Sequence, residues 1–262
     1  MKKLTPILLT LIIALTCLIT PVAAEVDYPT VTVTVSVGGS LKLTAAPVLL
    51  SDFDGDGNLT VNDALMEAHF THAEGGVSAY GYADSEYGRS ITKLWGDESG
   101  AYGYCVNNVS AVSLLDPVKA GDNITAYVYK DQTAWSDSYS YFDISAKTFE
   151  DSGRLTLTLS YNTFDENWQT VTKALEGAYI TVDGTRTEII TDKDGKATLS
   201  VKGAGTYVIS AECDSMTIVP PVCVVTVNAK PMNPLIIVIL IGTVVGGIAG
   251  AVINAVKKRK NA

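Results

Sequence analysis

The sequence predicts an α+β domain with one helix, followed by an all-β sandwich, with a signal peptide before them and a single transmembrane helix after them. Three observations support this organisation. Long apolar runs lie near both ends of the chain, strand and helix patterns are mixed over residues 25–143, and short alternating strands fill residues 144–229. Alternation with period 2 is typical of half-buried strands, whereas apolar residues spaced three or four apart indicate a helix.

The N-terminus indicates export. Lys2 and Lys3 precede an apolar run that is followed by Val22-Ala23-Ala24. A basic start, an apolar stretch and small residues at the end are the parts of a cleavable signal peptide. We therefore predict a signal peptide over residues 1–24 and an ectodomain outside the cell.

The C-terminus indicates a membrane anchor. After a linker at residues 230–233, residues 234–256 are apolar over a length that crosses a bilayer. The basic tail at residues 257–262 favours a cytoplasmic C-terminus and a protein that spans the cell membrane once. A row of small residues four apart favours a homodimer in the membrane, unless it reflects only the frequency of glycine in such helices. This row consists of Gly242, Gly246 and Gly250.

The charge of the chain excludes one class of partner. Its 19 Lys and Arg against 28 Asp and Glu give a formal net charge of −9, and the acids all lie between the two apolar ends. Nucleic acids are bound through Lys and Arg on their phosphates. We therefore predict no nucleic-acid partner, and expect an extracellular protein, a glycan or a small ligand instead.

Residues 25–143 combine strands with one helix. Thr30–Val37 alternates strictly and predicts a half-buried strand, and Leu41–Leu50 predicts a second one. A helix is expected over residues 61–72, with an apolar stripe at Ala64, Leu65 and Ala68. Further strands are expected at Ile91–Leu94, Tyr102–Val106, Ile124–Tyr129 and Tyr139–Ile144.

The stretch before the helix has the composition of an EF-hand-like calcium loop. Calcium takes about six to eight oxygen ligands, and this loop supplies them from positions 1, 3, 5, 7, 9 and 12, with Gly at position 6. Residues 52–63 fit the pattern, with Gly57 at position 6. The predicted Ca²⁺ ligands are Asp52, Asp54, Asp56, Asn58, Thr60 and Asp63. Alternatively, the loop is a metal-free turn that caps the helix, because Thr60 and Asp63 are spaced as in a capping box.

Asp63 stands where most such loops have Glu. In this respect the loop resembles those of dockerin modules, which dock bacterial surface enzymes onto scaffold proteins and carry two such loops. One convincing copy is present in this sequence. A dockerin-like scaffold-docking module is accordingly an alternative function.

Aromatic residues are frequent between residues 79 and 142. Most of them are expected in the core, but Trp95 and Trp135 lie beside loops rich in Gly, Asp and Ser, and we predict that they are exposed and contact a ligand.

Four segments in order resemble one known domain. These are Leu59-Thr60-Val61-Asn62-Asp63-Ala64-Leu65, Ser90-Ile91-Thr92-Lys93-Leu94-Trp95-Gly96, Tyr102-Gly103-Tyr104-Cys105-Val106-Asn107-Asn108 and Gly121-Asp122-Asn123-Ile124-Thr125-Ala126-Tyr127-Val128-Tyr129. The set is similar to the domain of unknown function 4430, now called transcobalamin C-terminal-like, over residues 30–131. The resemblance implies a β-grasp-like sheet with one helix across it. Tyr104 and Asn107 of the third segment join Trp95 and Trp135 as predicted ligand-binding residues.

The same resemblance implies an alternative function. Related domains of vitamin-B12 carriers close over a corrinoid, so an extracellular protein that binds a small, cobalamin-like ligand is the second hypothesis. The chain lacks the helical-barrel domain that completes the site in those carriers.

Residues 144–229 have the pattern of a β-sandwich. Alternating strands are expected at residues 155–159, 178–182, 196–201, 207–211 and 224–227, with turns at Asp183-Gly184 and Asp192-Lys193-Asp194-Gly195. For the second turn we favour a plain turn over a cation site. These segments resemble the Ig-like or prealbumin-like spacer modules of Gram-positive surface proteins. Cys213 and Cys223 end and begin successive strands, and they are the candidates for a disulfide outside the cell.

No catalytic pattern is evident, and we predict that the protein is not an enzyme. His69 and His72, the only histidines, share one helical face. We favour a polar helix end over a zinc pair, because no Cys or acidic cluster completes such a site. The sequence thus predicts a membrane-anchored surface protein for binding or adhesion, with calcium stabilising its ligand-facing domain.

Overall fold

The computed structural model describes residues 29–230, which form two mostly β domains. The predicted signal peptide, transmembrane helix, basic tail and glycine row lie outside the described residues. Between residues 29 and 230, no helix is both long and apolar enough to cross a membrane.

The first domain is a five-stranded sheet with a helix packed on one face. Its elements are β1 (Thr30–Val37), β2 (Ser40–Leu49), α1 (Val61–His72), β3 (Gly81–Ser85), β4 (Gly88–Lys93), β5 (Tyr102–Val106), β6 (Val109–Ser110) and β7 (Asn123–Val128). The sheet has the order β2-β1-β7-β5-β6, with β1 and β7 paired in parallel. β3 and β4 form a separate hairpin. α1 has the predicted bounds and is the one α-helix within the described residues.

The core of this domain lies between α1 and the sheet. Alternate residues of β1, namely Val31, Val33 and Val35, point into it and are almost completely buried. The predicted stripe of α1 faces them, because Ala64, Leu65 and Ala68 are each 0% exposed. The period of 2 in β1 and the spacing of three or four in α1 thus bury one face of each element, as amphipathic patterns require.

The second domain is a helix-free pair of sheets within the described range. Its strands are β8 (Ser138–Phe142), β9 (Ala146–Glu150), β10 (Ser152–Phe164), β11 (Thr170–Ala174), β12 (Tyr179–Val182), β13 (Thr185–Ile190), β14 (Lys196–Lys202), β15 (Gly205–Glu212), β16 (Ile218–Val219) and β17 (Cys223–Asn228). One sheet has the order β11-β10-β8-β16, with β14 also on β10, and the other has the order β13-β12-β15-β17-β9. Leu157 and Leu199 from the first sheet meet Ile209 and Val225 from the second in one core. This agrees with the predicted all-β sandwich.

β8 joins the β11-β10-β8-β16 sheet of the second domain, although we expected this strand within the first domain, which we ended at residue 143. Leu159 and Tyr161 of β10 pair with Phe142 and Ser140 of β8. Pairing between strands distant in sequence decides the assignment here, and alternation within the strand does not reveal it. The side chains of Tyr139 and Val219 also pack against Tyr127 and Cys105 in the sheet of the first domain, so β8 lies at the junction of the two domains.

The predicted disulfide between Cys213 and Cys223 is not formed. Both residues are free cysteines. Cys223 pairs across the sheet with Ile209 of β15. Cys213 lies four residues further along, which at about 3.3 Å per residue is roughly 13 Å away along the strand. A disulfide needs Cα atoms closer than about 7 Å.

Candidate functional site

The predicted calcium loop leads directly into α1, and Asp63 closes it. Asp63 is 1% exposed. Its Oδ2 accepts hydrogen bonds from the backbone N–H of Thr60 (2.9 Å) and from Thr60 Oγ1 (2.6 Å). Its Oδ1 accepts from the N–H of Phe53 (2.9 Å) and of Asp54 (3.3 Å). Asp63 therefore caps α1 and also ties the start of the loop to its end, and the predicted capping box is confirmed.

Asp52 organises the tight turn of the loop. Its Oδ1 accepts from the N–H groups of Gly55 (2.8 Å) and Asp56 (3.0 Å), and its Oδ2 accepts from the N–H of Gly57 (2.9 Å). Gly55 and Gly57 have φ of 76° and 90°. These left-handed values are accessible to Gly at little cost, because Gly has no Cβ to clash.

Three of the six predicted ligands come together. One carboxylate oxygen each from Asp52, Asp54 and Asp63 lies within 4.8 Å of the others. Asp56, the fourth acidic ligand predicted, does not belong to this group. The Oδ1 of Asp56 accepts instead from the backbone and side-chain nitrogens of Asn58.

Asp54 is the unusual member of this cluster. Its Oδ2 accepts from Arg89 Nη1 (2.8 Å) and from Asn62 Nδ2 (3.1 Å). Its Oδ1 is buried and has no hydrogen-bond partner. A buried carboxylate oxygen without a partner is costly, so each such atom needs a physical explanation.

Arg89 links the loop to the β3–β4 hairpin. Besides Asp54, it binds Asp84 (Nε to Oδ1, 2.8 Å) and lies over the ring of Tyr82, 4.3 Å from its centroid. The hydrogen bonds that Arg89 donates to Asp84 and Asp54 raise the pKa of its guanidinium. The site therefore holds one fixed positive charge beside three carboxylates.

His69 is a buried structural residue, which the sequence analysis did not predict. The interpretation of His69 as part of a polar helix end was wrong. It is 0% exposed. Nδ1 lies 2.6 Å from the carbonyl oxygen of Leu65, and Nε2 accepts from the N–H of Trp95 at 3.1 Å. Burial lowers the pKa of His69 to about 4. Its position four residues after Leu65, on the apolar stripe, is the signal that reveals it. With both nitrogens engaged, His69 is not available as a zinc ligand.

Trp95 is half-buried, so the prediction that it is exposed was wrong. Its ring centroid lies 4.8 Å from that of His69, and its side chain packs against the first core. Tyr104 also packs against this core. Asn107 lies in the turn after β5, where it donates from Nδ2 to Asp122 (2.9 Å) and accepts from the N–H of Asn123.

Trp135 is 61% exposed, as expected. It borders a cleft of about 290 Å³ between the two domains, which Tyr127, Tyr129 and Phe164 also line. The structure thus separates Trp135 from Trp95 and Tyr104. Sequence reasoning missed Phe164 and Trp168, which are 62% and 81% exposed. Their signal is an aromatic residue on each side of an Asp/Asn-rich turn between two strands.

Comparisons with known proteins give fold-level likeness only. No protein-family model matches the chain, and no curated protein matches it significantly. The fibronectin(III)-like modules of CbhA from Clostridium thermocellum align over 59% of this chain and 78% of theirs, with 14% identity and a TM-score of 0.26. The tandem Ig repeats of Dlar align over 79% of this chain and 98% of theirs, with 14% identity and a TM-score of 0.25. We base no conclusion on scores this low.

Proposed function

We propose that the protein is a membrane-anchored surface protein for binding or adhesion, with a Ca²⁺ site that stabilises its first domain. In this proposal the first domain is a β-grasp-like binding module, and the second is an Ig-like stalk. The C-terminal apolar segment, residues 234–256, holds both at the outer face of the cell membrane.

The carboxylate cluster is the observation that carries this proposal. Calcium–oxygen distances of about 2.3–2.6 Å allow two ligands of one ion to lie up to about 5 Å apart. The oxygens of Asp52, Asp54 and Asp63 lie within 4.8 Å of one another, so one ion can touch all three. Hard carboxylate oxygens are the donors that calcium prefers.

The unpartnered oxygen of Asp54 also fits a cation. Arg89 and Asn62 neutralise and orient Oδ2, but the buried Oδ1 faces no donor. A calcium ion satisfies such an atom, and Arg89 offsets part of the repulsion between the three carboxylates in its absence. The nearby positive charge also weakens the attraction for calcium, which agrees with the weak affinity of extracellular modules, on the order of 10⁻⁴–10⁻³ M.

The place of the loop in the chain suggests what calcium does there. Residues 52–63 connect the end of β2 to the start of α1, and Asp63 belongs to both the cap and the carboxylate cluster. An ion held by Asp52, Asp54 and Asp63 therefore fixes the helix relative to the sheet. Its contribution is a more rigid first domain and involves no chemical reaction.

The strand order supports the β-grasp-like assignment. A hairpin, a helix and a later strand that returns beside β1 in parallel give the order β2-β1-β7-β5-β6. This is the order of a β-grasp sheet, and α1 packs across it.

A calcium titration tests the proposal. The full chain, purified in detergent and freed of metal by chelation, is titrated with CaCl₂ in a calorimeter, and its thermal unfolding is followed with and without calcium. We expect one binding event. At a calcium concentration ten times the dissociation constant, the free energy of unfolding rises by about 1.4 kcal/mol.

Two variants give this experiment its specificity. Asp54→Asn keeps the size of the side chain but removes its charge, and we expect it to abolish the calcium response. Asp192→Asn is the matched control in the second domain, because Asp192 also accepts backbone hydrogen bonds in a turn. A wild-type chain that shows neither heat nor a thermal shift would reduce the loop to a helix cap.

A further inference from the structure

We propose that the cleft between the two domains binds a neutral oligosaccharide, with Trp135 on one rim and Phe164 and Trp168 on the other. This names a ligand class for the proposed binding function and rests on it. Trp135 and Phe164 line the cleft, and the ring of Trp168 lies 6.3 Å from that of Phe164. These three side chains are 61%, 62% and 81% exposed.

The floor of the cleft is a continuous row of aromatic rings. Tyr129 lies between Trp135 and Tyr127, with ring centroids 6.4 Å and 5.3 Å away, and Tyr127 stacks on Tyr139 at 5.9 Å. Gly103 makes room for this row, because a Cβ at that position would collide with the ring of Tyr127. The row crosses from the first domain to the second, so both domains contribute to one surface.

The two tryptophans are displayed by turns that each begin at an Asp and are held by the oxygens of that Asp. Asp131 Oδ1 accepts from the N–H groups of Thr133 and Ala134, and the N–H of Trp135 donates to the carbonyl oxygen of Asp131. In the other turn, Asp165 Oδ1 also accepts from two N–H groups that follow it, and the N–H of Trp168, one residue nearer to the Asp than in the first turn, donates to the carbonyl oxygen of Asp165.

The backbone of these two turns is strained. Trp135 and Trp168 have φ of 53° and 59°, values that are rare for bulky residues. The Trp135 ring donates one local hydrogen bond, from Nε1 to the carbonyl oxygen of Gln132, yet most of its surface stays in water. Strained backbone at two exposed rings points to a use of those rings.

The lining of the cleft favours a neutral, hydroxyl-rich ligand. None of the residues that line it is Lys or Arg. Its one carboxylate, Asp137, accepts backbone N–H groups from Lys130 and Asp131 on its two oxygens. Anions therefore find no partner there, and Asp137 is not free to bind a cation.

A sugar ring matches the remaining surface. Its C–H face packs on flat aromatic rings, while its hydroxyls reach polar groups such as Ser138 and Thr170, which also line the cleft. The volume of about 290 Å³ is at the small end of ligand sites and holds about one or two sugar rings. A quaternary ammonium ion also binds aromatic rings, but it needs a narrower cage and no hydroxyl partners.

Calorimetry with defined sugars tests the inference. The full chain is kept in a detergent without a sugar headgroup and titrated with cellohexaose, xylohexaose, mannohexaose and chitohexaose. We expect saturable binding of at least one hexasaccharide. Trp135→Ala and Trp168→Ala should each weaken that binding about tenfold, as expected for exposed aromatic anchors worth about 1.4 kcal/mol.

Tyr87→Ala is the matched control. Tyr87 is 83% exposed but lies in the turn of the β3–β4 hairpin, outside the cleft, so its loss should leave sugar binding unchanged. Three results would overturn the inference: no binding of any of the four sugars, equal binding by the Trp135→Ala/Trp168→Ala double variant, or binding of tetramethylammonium in place of sugars. Running the calcium titration on the same preparation separates failure of this cleft from failure of the calcium site.

Discussion

Each domain contains a turn with the sequence Asp-x-Asp-Gly, one beginning at Asp52 and the other at Asp192, and the two turns are alike in their local chemistry. Asp52 and Asp192 each accept backbone N–H groups from residues that follow them on one carboxylate oxygen. The glycines at the fourth position, Gly55 and Gly195, have φ of 76° and 73°. Four residues of sequence therefore give similar turns, each led by an Asp and containing a Gly at positive φ, in two unrelated places.

The two turns differ in the residues that close them. The turn at Asp192 closes immediately, because the N–H of Asp192 donates to the carbonyl oxygen of Lys196, and the carboxylate of Asp194 pairs with exposed Lys193. The turn at Asp52 is instead closed by a distant residue, because the N–H groups of Phe53 and Asp54 donate to the buried carboxylate of Asp63 at the start of the helix. The comparison teaches that the motif fixes a turn, whereas a cluster of carboxylates requires a further acid delivered by the fold.

Removing the carboxylate of Asp63, which closes the first turn, should give the largest difference in stability between the two domains. Asp63→Ala deprives four donors of their acceptor at a buried position, and at about 1 kcal/mol each we expect the first domain to lose about 4 kcal/mol of stability. Asp192→Ala removes an exposed acceptor and should cost much less stability. Denaturant unfolding, with hydrogen exchange to assign each transition to a domain, measures both. Equal losses in the two variants would contradict the distinction.

The elements that sequence predicted best are those that local patterns determine. The bounds of α1 and its capping box follow from Thr60, Asp63 and the apolar spacing after them, and these interactions span no more than four residues. The composition of the loop gave all three acids of the carboxylate cluster. Such features do not depend on how distant segments meet.

His69, Phe164 and Trp168 were missed despite local signals, whereas the other missed features depend on distant segments. β8 belongs to the second domain because it pairs with β10 and β16. Trp135 and Phe164 border one cleft although they come from different loops. The expected bridge between Cys213 and Cys223 failed because register, which spacing does not reveal, sets them apart.

Lowering the pH should reduce the free energy of unfolding of the first domain, through its histidine, by about 3 kcal/mol more than that of the second domain. His69 has a pKa of about 4 in the folded chain, against 6.5 in the unfolded chain. Above pH 6.5 both states hold the neutral ring and the stability is fully present. As the pH falls toward 4, only the unfolded chain takes up the proton, so the free energy of unfolding of the first domain falls by about 3 kcal/mol. The second domain contains no histidine.

Unfolding measured between pH 7 and pH 4.5 checks this expectation. His69→Gln should show a flatter dependence on pH in the first domain than the wild type. His72→Gln is the control, because His72 is exposed and lies one turn further along α1. A steep dependence that persists in His69→Gln would assign the effect to carboxylates instead.

The glycines of the two turns provide the smallest test of the comparison. Gly55→Ala introduces a Cβ at positive φ into open space, so it should cost the first domain about 1 kcal/mol. Gly195→Ala has the same strain, but its Cβ would also collide with the carbonyl oxygen of Leu159 and lie 3.3 Å from Ala174. Because the turn at Asp192 is packed against β10 and β11, we expect about 2 kcal/mol of additional loss. Thermal unfolding of the two variants gives the difference, and equal costs would show that Gly195 is not confined by the fold in the way its surroundings indicate.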